Sequence, residues 1–149
     1  LSSGSHHTCA VRDDGKVVCW GENDYGELGH NLGAQSSQPI SVEGLSRMRT
    51  VSSGRTHTCA LKKDGSVWCW GGNASGQTGS GDDDFETTYE PVEVSRITGV
   101  SYVASGGYHT CAVEETGSLW CWGFNRVGQL GDNSVENRFT PVRVVGLGL

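Results

Sequence analysis

Residues that build long helices and membrane spans are scarce in this chain. One Met and a charged fraction of 19% leave amphipathic helices short of their usual side chains. No apolar run approaches the ~20 residues that cross a bilayer, so we expect no membrane insertion. The 23 glycines indicate instead an all-β chain that is rich in turns.

Basic clusters are also lacking. Eleven Lys and Arg are scattered among 17 Asp and Glu, which gives a net charge of −6. A protein that follows a phosphate backbone needs a basic stripe, so we expect no nucleic-acid partner. Leu1 opens the chain without the basic and apolar regions of a signal peptide, which we interpret as a mature or trimmed chain.

The sequence does contain a repeat with a period near fifty residues. Three segments align with one another: residues 3–11, 53–61 and 105–113. Each is followed by Cys-Trp-Gly, at residues 19–21, 69–71 and 121–123. A period of this size with several short strands is typical of propeller blades. We predict a single repeat domain, 1–149, with repeats of approximately 1–50, 51–102 and 103–149.

The repeated motif is more specific than its period. Gly-x-x-His-Thr-Cys-Ala, followed by Cys-Trp-Gly-x-Asn-x-x-Gly and later by Pro, resembles the repeat of the regulator of chromosome condensation family. The resemblance implies one four-stranded antiparallel blade from each repeat, and seven blades in a complete ring. Three repeats then predict a partial propeller, completed by self-association or belonging to a longer propeller. The chain departs from the family pattern by carrying Cys at both strand positions in every repeat.

The cysteines are placed for one disulfide within each repeat. In the first hairpin, the three-residue loop 13–15 makes Cys9 face Cys19. If Arg12 and Lys16 close this loop as a hydrogen-bonded pair, the two cysteine Cα atoms approach to about 4.5 Å, within disulfide range. The same arithmetic pairs Cys59 with Cys69 and Cys111 with Cys121. Disulfides indicate an oxidising compartment, so we predict a secreted or cell-surface protein.

A zinc site is the competing interpretation of the same residues. Each repeat offers His-x-Cys and another Cys ten residues later, whereas structural zinc sites favour shorter spacings such as Cys-x₂₋₄-Cys. Disulfides are therefore favoured, and we expect no metal and no cofactor. In the resembling family the histidine position is structural, which predicts buried imidazoles that hydrogen-bond strands or blades together at His7, His57 and His109.

Tryptophans and variable loops complete the set of candidate residues. We expect packing between blades, rather than a carbohydrate platform, from Trp20, Trp70 and Trp122. Loops 30–38, 80–90 and 132–140 differ most between copies and are the expected contact surface for a protein partner. The acidic run Asp82 to Asp84 lacks the spacing of a calcium loop, and a solvated loop is favoured over a cation site. Asn73-Ala74-Ser75 is a possible N-glycosylation acceptor.

No catalytic set accompanies these residues. The sequence has no Ser in a Gly-x-Ser-x-Gly context and no nucleophile with a base and an orienting group, so we expect no enzymatic activity. We predict a non-enzymatic extracellular module that binds proteins through its loops or assembles with other copies of itself by head-to-tail blade contacts. Two alternatives stay open. One is a regulatory propeller acting as a guanine-nucleotide exchange factor on a small GTPase, and the other is a secreted enzyme-inhibitor propeller.

Overall fold

Three four-stranded antiparallel sheets make up the fold in a computed structural model that describes residues 1–81 and 86–147. The first blade contains β1 (Ser2–Ser3), β2 (His7–Val11), β3 (Val17–Glu22) and β4 (Gln35–Ser41). The second contains β5 (Met48–Ser53), β6 (His57–Lys62), β7 (Val67–Gly71) and β8 (Thr88–Glu93). The third contains β9 (Val100–Ser105), β10 (His109–Glu114), β11 (Leu119–Gly123) and β12 (Arg138–Arg143). The predicted all-β fold class is confirmed. No helix that could cross a membrane occurs in the described ranges.

The hairpin between the second and third strands of each blade has the predicted register. In the first blade, the Arg12 amide donates to the Lys16 carbonyl at 2.8 Å, and Gly15 adopts a positive φ of 78°. Glycine adopts this left-handed backbone conformation without steric cost, because it has no side chain. Cys9 then lies directly opposite Cys19, as the loop length requires.

All six cysteines are joined within these hairpins. The disulfides are Cys9–Cys19, Cys59–Cys69 and Cys111–Cys121, and the Cα atoms of each pair are 4.1 Å apart. This short separation is typical of a non-hydrogen-bonded antiparallel pair. The predicted cysteine pairing is confirmed.

The blades follow one another around an arc. The first strands contact each other in series, β1 with β5 and β5 with β9, so they line the inner side of the arc. The fourth strands lie at the opposite edge of each sheet and form the outer rim. In each blade, the loop after the first strand and the loop after the third strand meet at the same end. In the second blade, the Gly72 amide of the latter loop donates to the Thr56 carbonyl of the former at 2.7 Å. We call this the loop end, and the opposite end, with the β-turns of residues 13–15, the hairpin end.

The contact between neighbouring blades, here called a seam, contains the hydrophobic core. In the first seam, the Cys9–Cys19 disulfide and Val17 pack against Ala60 and Trp70 of the second blade. The second seam repeats this arrangement with the corresponding residues Cys59, Cys69, Val67, Ala112 and Trp122. Each blade therefore presents its disulfide face to the next blade and its Ala and Trp face to the previous one, as strand alternation requires.

Candidate binding surfaces

A buried histidine joins the first blade to the second, and another joins the second blade to the third. His7 Nε2 lies 2.8 Å from Thr58 Oγ1, and His57 Nε2 lies 2.9 Å from Thr110 Oγ1. The Thr58 hydroxyl donates its single proton to the Glu27 carbonyl at 3.0 Å. The histidine must therefore donate to the threonine, which assigns the proton of the neutral ring to Nε2.

Burial keeps these imidazoles uncharged. Desolvation, with a smaller contribution from the charge of His6, lowers the pKa of His7 to about 4. Desolvation, followed by the charges of His7 and His109, lowers the pKa of His57 to about 3. The rings of His7 and His57 are thus fixed hydrogen-bond donors near neutral pH rather than proton carriers, since both pKa values lie far below that range.

The glycine three residues before each histidine makes room for the ring. A Cβ atom on Gly54 would lie 2.3 Å from His57 Cε1, a separation that real Cβ atoms do not show. Gly4 and Gly106 have the same relation to His7 and His109. The Gly-x-x-His motif is therefore explained by close packing of the imidazole on the backbone.

A loop from each blade also crosses the seam. Trp70 Nε1 donates to the Glu27 carbonyl at 2.7 Å, and Trp122 Nε1 donates to the Gln77 carbonyl at 2.8 Å. One carbonyl thus accepts from both a tryptophan and a threonine of the following blade. The sequence pattern contained the repeated Glu or Gln at this position, but no local signal connected it with the tryptophan of the next repeat.

Asn73 has a structural role in its loop. Its side chain is 2% exposed, and its Oδ1 accepts hydrogen bonds from the Thr78 amide and hydroxyl. Asn23 and Asn125 bind the amide five residues later in the same way. Glycosylation of Asn73 stays a prediction.

The first blade leaves one face uncovered. This first flank consists of Thr8, Ala10, Val18 and Trp20, which are partly exposed. Three of their counterparts in the second blade are buried inside the first seam and are each 0% exposed, namely Thr58, Ala60 and Trp70. Trp20 thus differs from Trp70 and Trp122 in lacking a preceding blade to pack against within the described ranges.

The third blade leaves the complementary face uncovered. This third flank consists of His109, Cys111, Val113 and Leu119, together with the backbone carbonyl of Gln129. The corresponding residues of the second blade, such as His57 and Cys59, are 0% exposed. Among the described residues, none forms a hydrogen bond with His109 Nε2. The two flanks therefore carry opposite halves of one seam.

The described parts of the variable loops lie toward the loop end and the outer rim. Loop 30–38 continues into β4, and the described part of loop 80–90 continues into β8. In loop 132–140, the Asp132 carboxylate accepts hydrogen bonds from Arg138 Nε at 2.7 Å and from the Ser134 hydroxyl at 2.7 Å. The acidic run Asp82 to Asp84 lies outside the described residues. Within residues 1–81 and 86–147, no group of three or more His, Cys, Asp or Glu side chains is arranged to hold a metal ion.

Comparison with protein families agrees with the blade architecture. The regulator of chromosome condensation (RCC1) repeat matches residues 14–61, 64–113 and 116–148. A second description of the same repeat matches residues 49–77 and 100–129.

Similar proteins contain this repeat within longer chains. The chain is 33% identical to the ultraviolet-B receptor UVR8 of Arabidopsis thaliana, over 99% of this chain and 34% of the receptor. It is 34% identical to the mitochondrial RCC1 domain-containing protein RUG3 of the same plant, over 99% of this chain and 35% of that protein. The human E3 ubiquitin-protein ligase HERC2 is 33% identical, over 97% of this chain and 3% of the ligase. The chain thus spans about a third of the two plant relatives.

Solved structures show the same fold. Yeast RCC1 (Prp20), in its complex with Kap60, matches with a TM-score of 0.88 and 23% identity, over 97% of this chain and 36% of that chain. Human WBSCR16 matches with a TM-score of 0.85 and 26% identity, over 97% of this chain and 39% of that chain.

Proposed function

Because this chain belongs to the regulator of chromosome condensation (RCC1) repeat family, we propose that its propeller blades serve as a non-enzymatic module for protein binding or self-assembly. We further propose that it acts outside the cell, either secreted or on the cell surface. Its partners would be other copies of the chain, joined flank to flank, or proteins held by loops 30–38, 80–90 and 132–140.

The observation that carries this proposal is the complementarity of the two flanks. The first flank holds Thr8 and Trp20, which are the types of residue that bind a histidine and a loop carbonyl in both seams. The third flank holds His109 and the Gln129 carbonyl, which are the groups that such residues would bind. Contact between them would reproduce a seam that the molecule already forms twice.

Because the two flanks differ, the contact between copies is heterologous. Two copies that close on each other would form a ring of six blades, and copies that do not close would form a filament. In a longer propeller, further blades would cover the flanks by the same contacts. Burial of apolar side chains favours each of these arrangements over an open arc.

Two further observations support the extracellular and non-enzymatic parts of the proposal. Every repeat contains a disulfide, and structural disulfides persist in oxidising compartments. His7 and His57 are neutral, buried and hydrogen-bonded to threonine, which leaves them unsuited to proton transfer at neutral pH.

Light scattering of the oxidised chain at micromolar concentration tests self-assembly. We expect dimers or polymers for the natural sequence and a monomer for Trp20→Arg, which places a charge on the first flank. Leu32→Arg is the matched control, because Leu32 is 82% exposed and lies between the first and second blades rather than on a flank. A natural chain that stays monomeric would contradict self-assembly and leave the loops or additional blades as the means of partner contact.

A guanine-nucleotide exchange factor is the second candidate, favoured by membership of the RCC1 family. Release of a fluorescent guanine nucleotide from a small GTPase would test it directly. We expect the nucleotide to leave the GTPase at the same rate with and without the chain. Faster release in the presence of the chain would overturn the extracellular assignment.

A further inference from the structure

A groove lies at the outer rim between the first and second blades, on a side of the molecule away from both flanks. It has a volume of about 460 Å³. We call it the rim groove, and its principal lining residues are His30, Leu32, Glu43, Trp68, Glu90 and Pro91.

One wall of the rim groove is apolar and held in place. The indole of Trp68 is partly exposed, and its Nε1 donates to Ser66 Oγ at 3.3 Å within the same blade. The body of Trp68 also packs against the core of the first seam. Leu32, 82% exposed, and Pro91 extend this apolar surface. The wall therefore suits the aliphatic part of a long side chain.

The same groove carries negative charge that no basic side chain neutralises. Glu43 and Glu90 are both exposed and line it from two different blades. Neither forms an ion pair within the described part of the chain, and no Lys or Arg is among the lining residues. An aromatic face beside two carboxylates is complementary to a cation on an aliphatic stem.

The corresponding position at the second seam has different chemistry. Trp120 takes the place of Trp68, but Ser95 replaces Glu43 and Thr140 replaces Glu90. Arg96 also stands where the rim groove has Gly44. The two carboxylates are thus not required by the blade architecture, since neither Glu43 nor Glu90 has an acidic counterpart at the second seam.

We propose that the rim groove binds an arginine or lysine side chain presented by an extended segment of a basic protein partner. The aliphatic stem lies against Trp68 and Leu32, and the cationic head lies between Glu43 and Glu90. The net charge of −6 attracts such a partner over longer distances. This inference rests on the proposal that the chain is a protein-binding module, and it names the chemistry of the partner that loops 30–38 and 80–90 contact.

Nuclear magnetic resonance of the tryptophan indoles tests the groove in the full oxidised chain. The probe is the capped peptide acetyl-Ala-Arg-Ala-amide, and its control is the same peptide with citrulline, which matches arginine in shape but carries no charge. We expect the arginine peptide to shift the Trp68 indole signal and to leave the Trp120 signal in place. Equal shifts from the citrulline peptide, or equal shifts at both tryptophans, would overturn the proposal.

Charge-matched variants separate the groove from general attraction. Glu43→Gln with Glu90→Gln should weaken binding of the arginine peptide about tenfold. Two ionic contacts are lost, and the negative electrostatic potential beside the Trp68 ring becomes weaker. Asp13→Asn with Glu115→Gln removes the same net charge at the hairpin end and should change the affinity less than twofold. Equal weakening by both pairs would show unspecific attraction and refute the groove.

Peptide binding in the rim groove can be tested separately from self-assembly. The Glu43 and Glu90 variants leave both flanks intact, so light scattering should give the same mass as for the natural chain. A natural chain that forms dimers or polymers but shows no Trp68 shift with the arginine peptide would refute the rim groove alone, whereas a monomeric natural chain that still binds the peptide would refute self-assembly alone.

Discussion

Acidification from pH 7 to pH 5 should destabilise the folded chain, because the seams hold neutral histidines. His7 and His57 have pKa values of about 4 and about 3 in the folded state, against an ordinary value of 6.5. A group whose pKa is depressed by folding contributes stability above its unfolded pKa. That contribution is lost as the pH falls from 6.5 toward the folded pKa, since only the unfolded chain takes up the proton.

The size of the effect follows from the same two pKa values. Each buried histidine costs about 1.4 kcal/mol per pH unit below 6.5, which is about 2 kcal/mol at pH 5. Two histidines together cost about 4 kcal/mol, a large share of the 5–15 kcal/mol that roughly spans the stability of small domains. The loss arises in both seams, so we expect the blades to separate in mild acid while the disulfides persist.

Urea unfolding followed by tryptophan fluorescence at pH 7, 6 and 5 measures this loss, because Trp70 and Trp122 are buried in the seams. His57→Gln keeps an N–H donor for Thr110 but cannot be protonated, so it should remove about half of the pH dependence. His30→Gln is the control for the substitution itself, because His30 lies outside the hydrogen-bonded seam positions. The reasoning would be refuted if His57→Gln lost as much stability between pH 7 and 5 as the natural chain.

Three further predictions concern single interactions, each measured by urea unfolding. Trp70→Ala should cost about 3–5 kcal/mol, and Trp20→Ala should cost clearly less in the isolated chain; equal costs would contradict the open first flank. Glu27→Gln should stabilise the chain by about 1–3 kcal/mol at pH 7, because Oε1 of this carboxylate is buried without a partner and burial raises its pKa. The gain should shrink as the pH falls toward the ordinary pKa of 4.5, and a gain independent of pH would argue against a charged side chain there. Replacing Cys59 and Cys69 together by Ala should cost about 2.5–3 kcal/mol, and an unchanged midpoint would show that the hairpin is already closed in the unfolded chain.

Features decided by local geometry could be predicted from the sequence. The distance from Cys9 to Cys19 depends on one loop of known length, so the spacing alone determines which residues face each other. The period near fifty and the turn motifs similarly indicate antiparallel blades. These predictions succeed because a hairpin register is independent of how the blades later pack.

Features decided by packing between blades could not be predicted in this way. The hydrogen bond from Trp70 to the Glu27 carbonyl joins residues 43 positions apart, and it requires the loop of one blade to lie on the next. The burial of Asn73 could not be predicted either, because a three-residue sequon says nothing about whether the loop buries its first residue. The rim groove combines residues of two blades and several segments, which only the first seam brings together.

The division between cross-linked hairpins and hydrogen-bonded seams determines how the molecule responds to mechanical tension. A pulling force applied at the chain ends would first separate the seams, since hydrogen bonds and apolar contacts are all that hold them. Each disulfide spans ten positions, so every hairpin would stay closed and withhold roughly 30 Å of contour length from the extended chain. Under tension, the oxidised protein therefore separates into three blades, each with one hairpin closed by a disulfide. These blades can pack together again when the force is removed.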